Sequence, residues 1–157
     1  MALFDDITGA IVYKLQQAIG TPIEGPQNKI LNTNFHELKF PTRRGVPLFP
    51  ACIVYPARRD TITPVTNVSY DQGFGVGVSI IQKNSGGNLT ENIDRINEWK
   101  EDAIFALADK RLLDSGSTER AYLVQIEPGS NLETGEFLAG FDVAGFTARC
   151  FVRRTNK

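Results

Sequence analysis

Between Leu3 and Ile19 the apolar residues Phe4, Ile7, Ile11, Leu15, Ala18 and Ile19 recur at steps of three and four, the spacing that lines one face of an α-helix. Asp5 and Asp6 fall in its first turn, where the helix dipole favours negative charge. Gly20, followed by Pro22, supplies the stop. A second, longer helix is predicted from about Leu89 to Lys110, with Ile93, Ile96, Ala103, Ile104 and Leu107 as its apolar stripe and Trp99 and Phe105 beside it. Asn88 is placed to cap this helix, and Glu91, three residues on, completes a capping-box pattern.

Elsewhere the period falls to two. Ala51-Cys52-Ile53-Val54-Tyr55 is a dense apolar strand stopped by Pro56. Asn67–Tyr70 and Phe74–Gln82 read as two strands joined by a turn at Asp71-Gln72-Gly73. In the second of them Phe74, Val76, Val78 and Ile80 share one face, and Gly73, Gly75, Gly77, Ser79 and Ile81 the other. Three more strands are predicted at Ala121–Glu127, Gly135–Asp142 and Ala144–Arg153. The last alternates Phe146, Ala148, Cys150 and Val152 with Thr147, Arg149, Phe151 and Arg153, the mark of a half-exposed sheet. Five prolines and two glycines break residues 21–50, which read as an extended connector or arm with short strands at Lys29–Leu31 and Phe35–Phe40. The order of elements predicts an α+β fold: a mixed, largely antiparallel β-sheet flanked by the N-terminal helix and one long central helix. The alternate glycines each cost about 0.5–1 kcal/mol within a strand and so need a reason. Close approach by another backbone and a bulge or twist point both remain open.

At 157 residues the chain suits one domain spanning 1–157. A net charge of -1 makes no general electrostatic case for nucleic acid or an anionic membrane. No apolar run approaches ~20 residues and no basic leader precedes the first helix, so synthesis in the cytoplasm with reduced thiols is expected. Cys52 and Cys150 sit in alternating apolar runs as small buried hydrophobes. His36 is the single histidine, which argues against Ser/His/Asp, Cys/His and multi-His metal arrangements. Gly73-Phe74-Gly75-Val76-Gly77 lies inside a strand, whereas a dinucleotide loop must open a helix. Ser85-Gly86-Gly87-Asn88 fits a plain turn and cap better than an anion cradle. Asp94/Glu98 and Glu101/Asp102 read as a solvated helix face. The expectation is a protein with no catalytic residues, no cofactor and no metal.

The layout itself carries a resemblance. An amphipathic helix leads through a proline-broken connector to Phe49-Pro50-Ala51-Cys52-Ile53-Val54-Tyr55. A polar loop, a strand ending Ile80-Ile81-Gln82, and a helix of the type Ile93-Asp94-Arg95-Ile96-Asn97-Glu98-Trp99 follow, then closing strands. Over about residues 3–153 this order resembles the tail terminator proteins of tailed bacteriophages, small ring-formers at the head–tail junction. The resemblance implies a virion subunit that assembles as a hexamer, ends the tail tube and docks it to neck proteins, with DNA passing through the lumen. It extends to the related stopper or head-completion neck ring, and it brings no catalytic residues with it. A non-viral α+β domain that binds a small ligand is the alternative of a different class.

The polar loops Arg58–Thr66 and Glu127–Glu136 read as interface loops. Arg58, Arg59, Asp60, Asn131, Glu133, Arg149 and Arg153 are the expected contact residues. Acidic residues on the long helix and Arg149, Arg153 and Arg154 on the last strand are expected to complement each other between neighbours.

Overall fold

A computed structural model describes residues 3–22, 29–37, 48–57, 60–66, 69–83, 89–129 and 141–155. Helix α1 spans Leu3–Ile19 and buries Ile7, Ile11, Leu15 and Ile19, the predicted stripe. It stops at Gly20, where a Cβ would lie 2.6 Å from the Gln16 carbonyl oxygen and collide with Asn32 Oδ1. From there the chain forms two short parallel strands, β1 (Gly20–Thr21) and β2 (Ile30–Leu31). A 3₁₀ turn at Asn32–Asn34 leads into β3 (Phe35–Glu37), which pairs in parallel with β4 (Ala51–Pro56). The segment expected as a peripheral connector therefore contributes a strand to the main sheet and the fully buried Ile30 to the core.

Strand β5 (Thr61–Pro64) precedes β6 (Ser69–Lys83); helix α2 (Leu89–Leu107) follows. Short strands β7 (Leu112–Leu113) and β8 (Glu119–Ala121) form a separate antiparallel pair, and β9 (Leu123–Pro128) and β10 (Phe141–Thr155) close the main sheet. The order across the sheet is β3-β4-β6-β10-β9, with β5 on the same edge of β6 as β4 but further along. Only β3 runs parallel to its neighbour, so the sheet is mixed and largely antiparallel and the fold is α+β.

Strands β5, β6 and β10 differ from expectation: β5 lies within the expected polar loop Arg58–Thr66 and pairs with β6. Asp71-Gln72-Gly73 is not a turn: β6 runs unbroken for 15 residues, paired with β10 along its whole length from Lys83↔Phe141 to Ser69↔Thr155. β10 is likewise one strand through Val143, and most of the predicted Gly135–Asp142 strand lies outside the described residues. Helix α2 ends before Lys110 for a local reason. Asp109 adopts φ 57°, a left-handed terminator. The Asp109 N–H then donates to the Val124 carbonyl at 2.8 Å, and the Val124 N–H to the Lys110 carbonyl at 3.0 Å, so this segment covers part of the β9 edge.

Both helices pack on one face of the sheet. That face gathers Cys52, Val54, Phe74, Val76, Val78, Ile80, Val124 and the even positions Ala144–Cys150 of β10 into one core with Ile7, Ile11, Leu15, Ile96, Trp99, Ala103 and Leu107. The α2 stripe is thus rotated from the predicted one: Trp99 is central, Ile104 is half-buried and Phe105 points out, 78% exposed. Lys100 is buried instead, its ammonium donating to the Gly129 carbonyl at 3.1 Å, and burial lowers its pKa. Cys52 and Cys150 are buried free thiols on different strands with β6 between them.

Candidate functional site

The opposite face of the sheet bears no helix among the described residues. The register fixes what it presents, because odd positions of β4, β6 and β10 all point that way. At one end Ala51, Ile53 and Ile81 form a small second cluster with Phe49, Tyr55, Phe141 and Val143 packed on it. The Phe49 and Phe141 rings meet at 5.1 Å between centroids.

In the middle the floor is glycine. The Tyr55 ring lies flat across Gly77, where an added Cβ would clash with ring atoms Cε2 and Cζ, and its hydroxyl is 3.3 Å from Ser79 Oγ. At Gly73 a Cβ would meet Thr61 Oγ1 at 2.5 Å and the Phe151 ring at 3.0 Å. Close approach is thus the reason for these glycines, and the approaching atoms are this chain's own side chains. Gly75 contributes through its backbone instead. Its N–H donates to Asp60 Oδ1 at 3.0 Å, which ties the β4–β5 crossing to β6.

The far end is charged, and its charges are tied down. Arg153 donates twice to the Asp71 carboxylate, at 2.8 and 3.1 Å, and the Tyr122 hydroxyl donates to the same group. The Arg153 guanidinium lies 5.6 Å from the Tyr122 ring centre. The hydrogen bonds from Arg153, then Tyr122, hold Asp71 below the ordinary carboxylate value, and the bond to Asp71 pushes the Tyr122 phenol up. Arg149 pairs with Glu127 at 2.9 Å. Beside this cluster is a shallow pocket of about 290 Å³ lined by Glu119, Arg120, Tyr122, Val152 and Arg153. Arg120 is held by Asp114 at 2.9 Å and Asp6 at 3.6 Å. Asp114 also accepts the N–H groups of Thr118 and Gly116, and the Thr118 bond leads in lowering its pKa.

Beyond the helices the sheet continues as a ribbon of β5, β6 and the end of β10. All four residues of β5 are exposed, Ile62 at 67%, with Val65 just past it at 41%. Register places Ile62 beside Gln72, and Arg154 donates to Gln72 Oε1 at 3.2 Å on the same face.

Of the expected contact residues, Asp60, Arg149 and Arg153 are all engaged within the chain. Arg58, Arg59, Asn131 and Glu133 lie outside the described residues, as does the Ser85–Asn88 turn. The Asp71–Arg153–Tyr122 cluster and the exposed Phe105 have no counterpart among the sequence-based expectations. Among the described residues no three His, Cys, Asp or Glu side chains come together as a metal set, and no helix is long and apolar enough to cross a membrane. No protein-family model and no curated protein sequence matches the chain.

Proposed function

We propose that the chain is a structural protein of a tailed-phage virion, a tail terminator or related neck ring. Six copies close into a ring at the head–tail junction, end the tail tube and join it to the neck or connector, with DNA passing through without base-specific contact. The chain performs no catalysis and takes no cofactor. The observation that carries this is the ribbon of β5, β6 and the end of β10 beyond the helices, which leaves the apolar Ile62 and Val65 exposed beside polar groups. Solitary exposed apolar residues are ordinary, but Ile62 lies on a strand whose four residues are all exposed, and the exposed Val65 follows just past its end.

The element order supports the same assignment: helix α1, strand Ala51–Pro56, a strand through Ile80-Ile81-Gln82, the long helix and closing strands all occur in the order on which the resemblance rests. A small-ligand site is the weaker case. The pocket beside the Asp71 cluster, at about 290 Å³, is at the lower bound of the roughly 300–1,000 Å³ of drug-sized sites, and its arginines are already neutralised.

Native mass spectrometry of the purified chain, alone and with its virion's tail-tube protein, tests the assignment. A hexamer, free or only on the tube, is expected. A chain that stays monomeric at every concentration with the tube present refutes it.

A further inference from the structure

On α2, Asp94, Glu98, Glu101 and Phe105 follow one another at steps of four, three and four, and so lie on one side of the helix with Asp102 next to them. All five are exposed. No ion pair within the described residues engages any of the four carboxylates. Phe105 sits at the C-terminal end of this acidic row, where Lys110 lies over its ring, 4.4 Å from the centroid. The ribbon end is its counterpart in charge and shape. Arg149 and Arg153 are neutralised by Glu127 and Asp71, but among the described residues Arg154 is bonded only to the neutral Gln72, and it lies on the same face as the exposed Ile62. Thus a nearly neutral chain presents an acidic row that ends in an aromatic side chain at one place and an arginine beside an exposed aliphatic side chain at another.

We infer that the ribbon end of one copy docks on the outward face of α2 of the next, with Ile62 against Phe105 and Arg154 among the α2 carboxylates. The two surfaces occupy different places on the subunit, so the contact is head-to-tail, the kind that closes into a ring when its rotation permits. This rests on the assembly function proposed above and specifies which surfaces meet. It also revises the expected role of the last strand, since Arg154 rather than Arg149 or Arg153 carries the free charge.

Cross-linking tests it directly. The two cysteines, Cys52 and Cys150, are fully buried, with thiols pushed up to about 12, so a single surface cysteine is the reactive one. Ile62→Cys and Phe105→Cys are both at exposed positions. Mixed and treated with a short bis-maleimide, they are expected to give the unlike dimer roughly tenfold faster than either variant alone gives a like dimer, because docking raises the effective concentration. Arg154→Glu in the Ile62→Cys copy removes that excess, and Glu101→Arg in the Phe105→Cys copy restores it. Equal rates for mixed and separate variants overturn the docking. The Ile62→Cys/Phe105→Cys double variant separates the two ideas. A closed cross-linked ring supports both, whereas an open ladder supports the docking and rejects the ring.

Discussion

Gly77→Ala is the sharpest probe of the helix-free face. The new Cβ would fall on the Tyr55 ring, 2.9 Å from Cδ2 and closer still to Cε2 and Cζ. The ring must turn away, an overpacking cost of about 1–3 kcal/mol. Its 3.3 Å hydrogen bond to Ser79 goes with it; so long a bond contributes no more than the lower end of the usual range, about 0.5 kcal/mol. Replacing a strand glycine with alanine returns about 0.5–1 kcal/mol. The net expectation is destabilisation by about 0.5–3 kcal/mol. In a Tyr55→Ala background the obstacle is gone and only the alanine gain remains, so the same substitution should stabilise by about 0.5–1 kcal/mol. Trp99 is the single tryptophan and lies in the core, so its fluorescence in urea follows unfolding for all four members of the cycle. The change of sign exceeds the usual additivity error of about 0.3–0.5 kcal/mol. Equal destabilisation by Gly77→Ala in both backgrounds would show that the Tyr55 ring is not what requires the glycine.

The remaining predictions concern the α2 seam and the charged end of the sheet. Ile96→Ala, at a fully buried position, should cost about 2–5 kcal/mol, and Ile104→Ala, at a half-buried one, clearly less; thermal melts that rank them the other way would mean the helix is rotated. Asp71 has a lowered pKa in the folded chain, so its contribution is fully present above the ordinary carboxylate value and fades as pH falls through the lower folded value. Asp71→Asn should therefore weaken the protein at neutral pH and flatten its acid limb in a pH series of urea midpoints; an unchanged acid limb counts against the Arg153–Asp71–Tyr122 arrangement.

Local patterns revealed much of this architecture and misled in identifiable places. Helix α1 follows its three-and-four spacing because nothing tertiary competes with it. The alternation of Phe74, Val76, Val78 and Ile80 assigned the core face correctly, since a period of two leaves only two choices. Asp71-Gln72-Gly73 carries turn residues, yet it stays extended. Asp71 finds its partner in Arg153, 82 residues away, instead of in the local backbone, and no window of neighbouring residues contains that fact. On α2, Phe105 counts as core by its chemistry and Lys100 as surface by its charge, and each lies on the opposite side. Lys100 Nζ reaches the Gly129 carbonyl, a contact that depends on a strand far along the chain from α2. The Asp71–Arg153–Tyr122 cluster is invisible to local patterns for the same reason: it joins three distant segments. The exposed position of Ile62 follows from where the helices end, which composition does not encode.

The 15-residue partnership of β6 with β10 also governs when the fold can form. β10 lies inside the sheet, between β6 and β9, although it is the last strand made. While β4, β5 and β6 emerge from the ribosome, one edge of β6 stays open through all of α2 and β7–β9. Closing so large a loop is an entropic cost that must be met before its many contacts repay it, which places the chain among slow folders dominated by non-local pairing. During that interval β6 lacks the partner along its open edge, so a nascent chain is exposed to edge-to-edge aggregation. Expression slowed or stalled between β9 and β10 should therefore yield aggregate in place of a smaller folded unit.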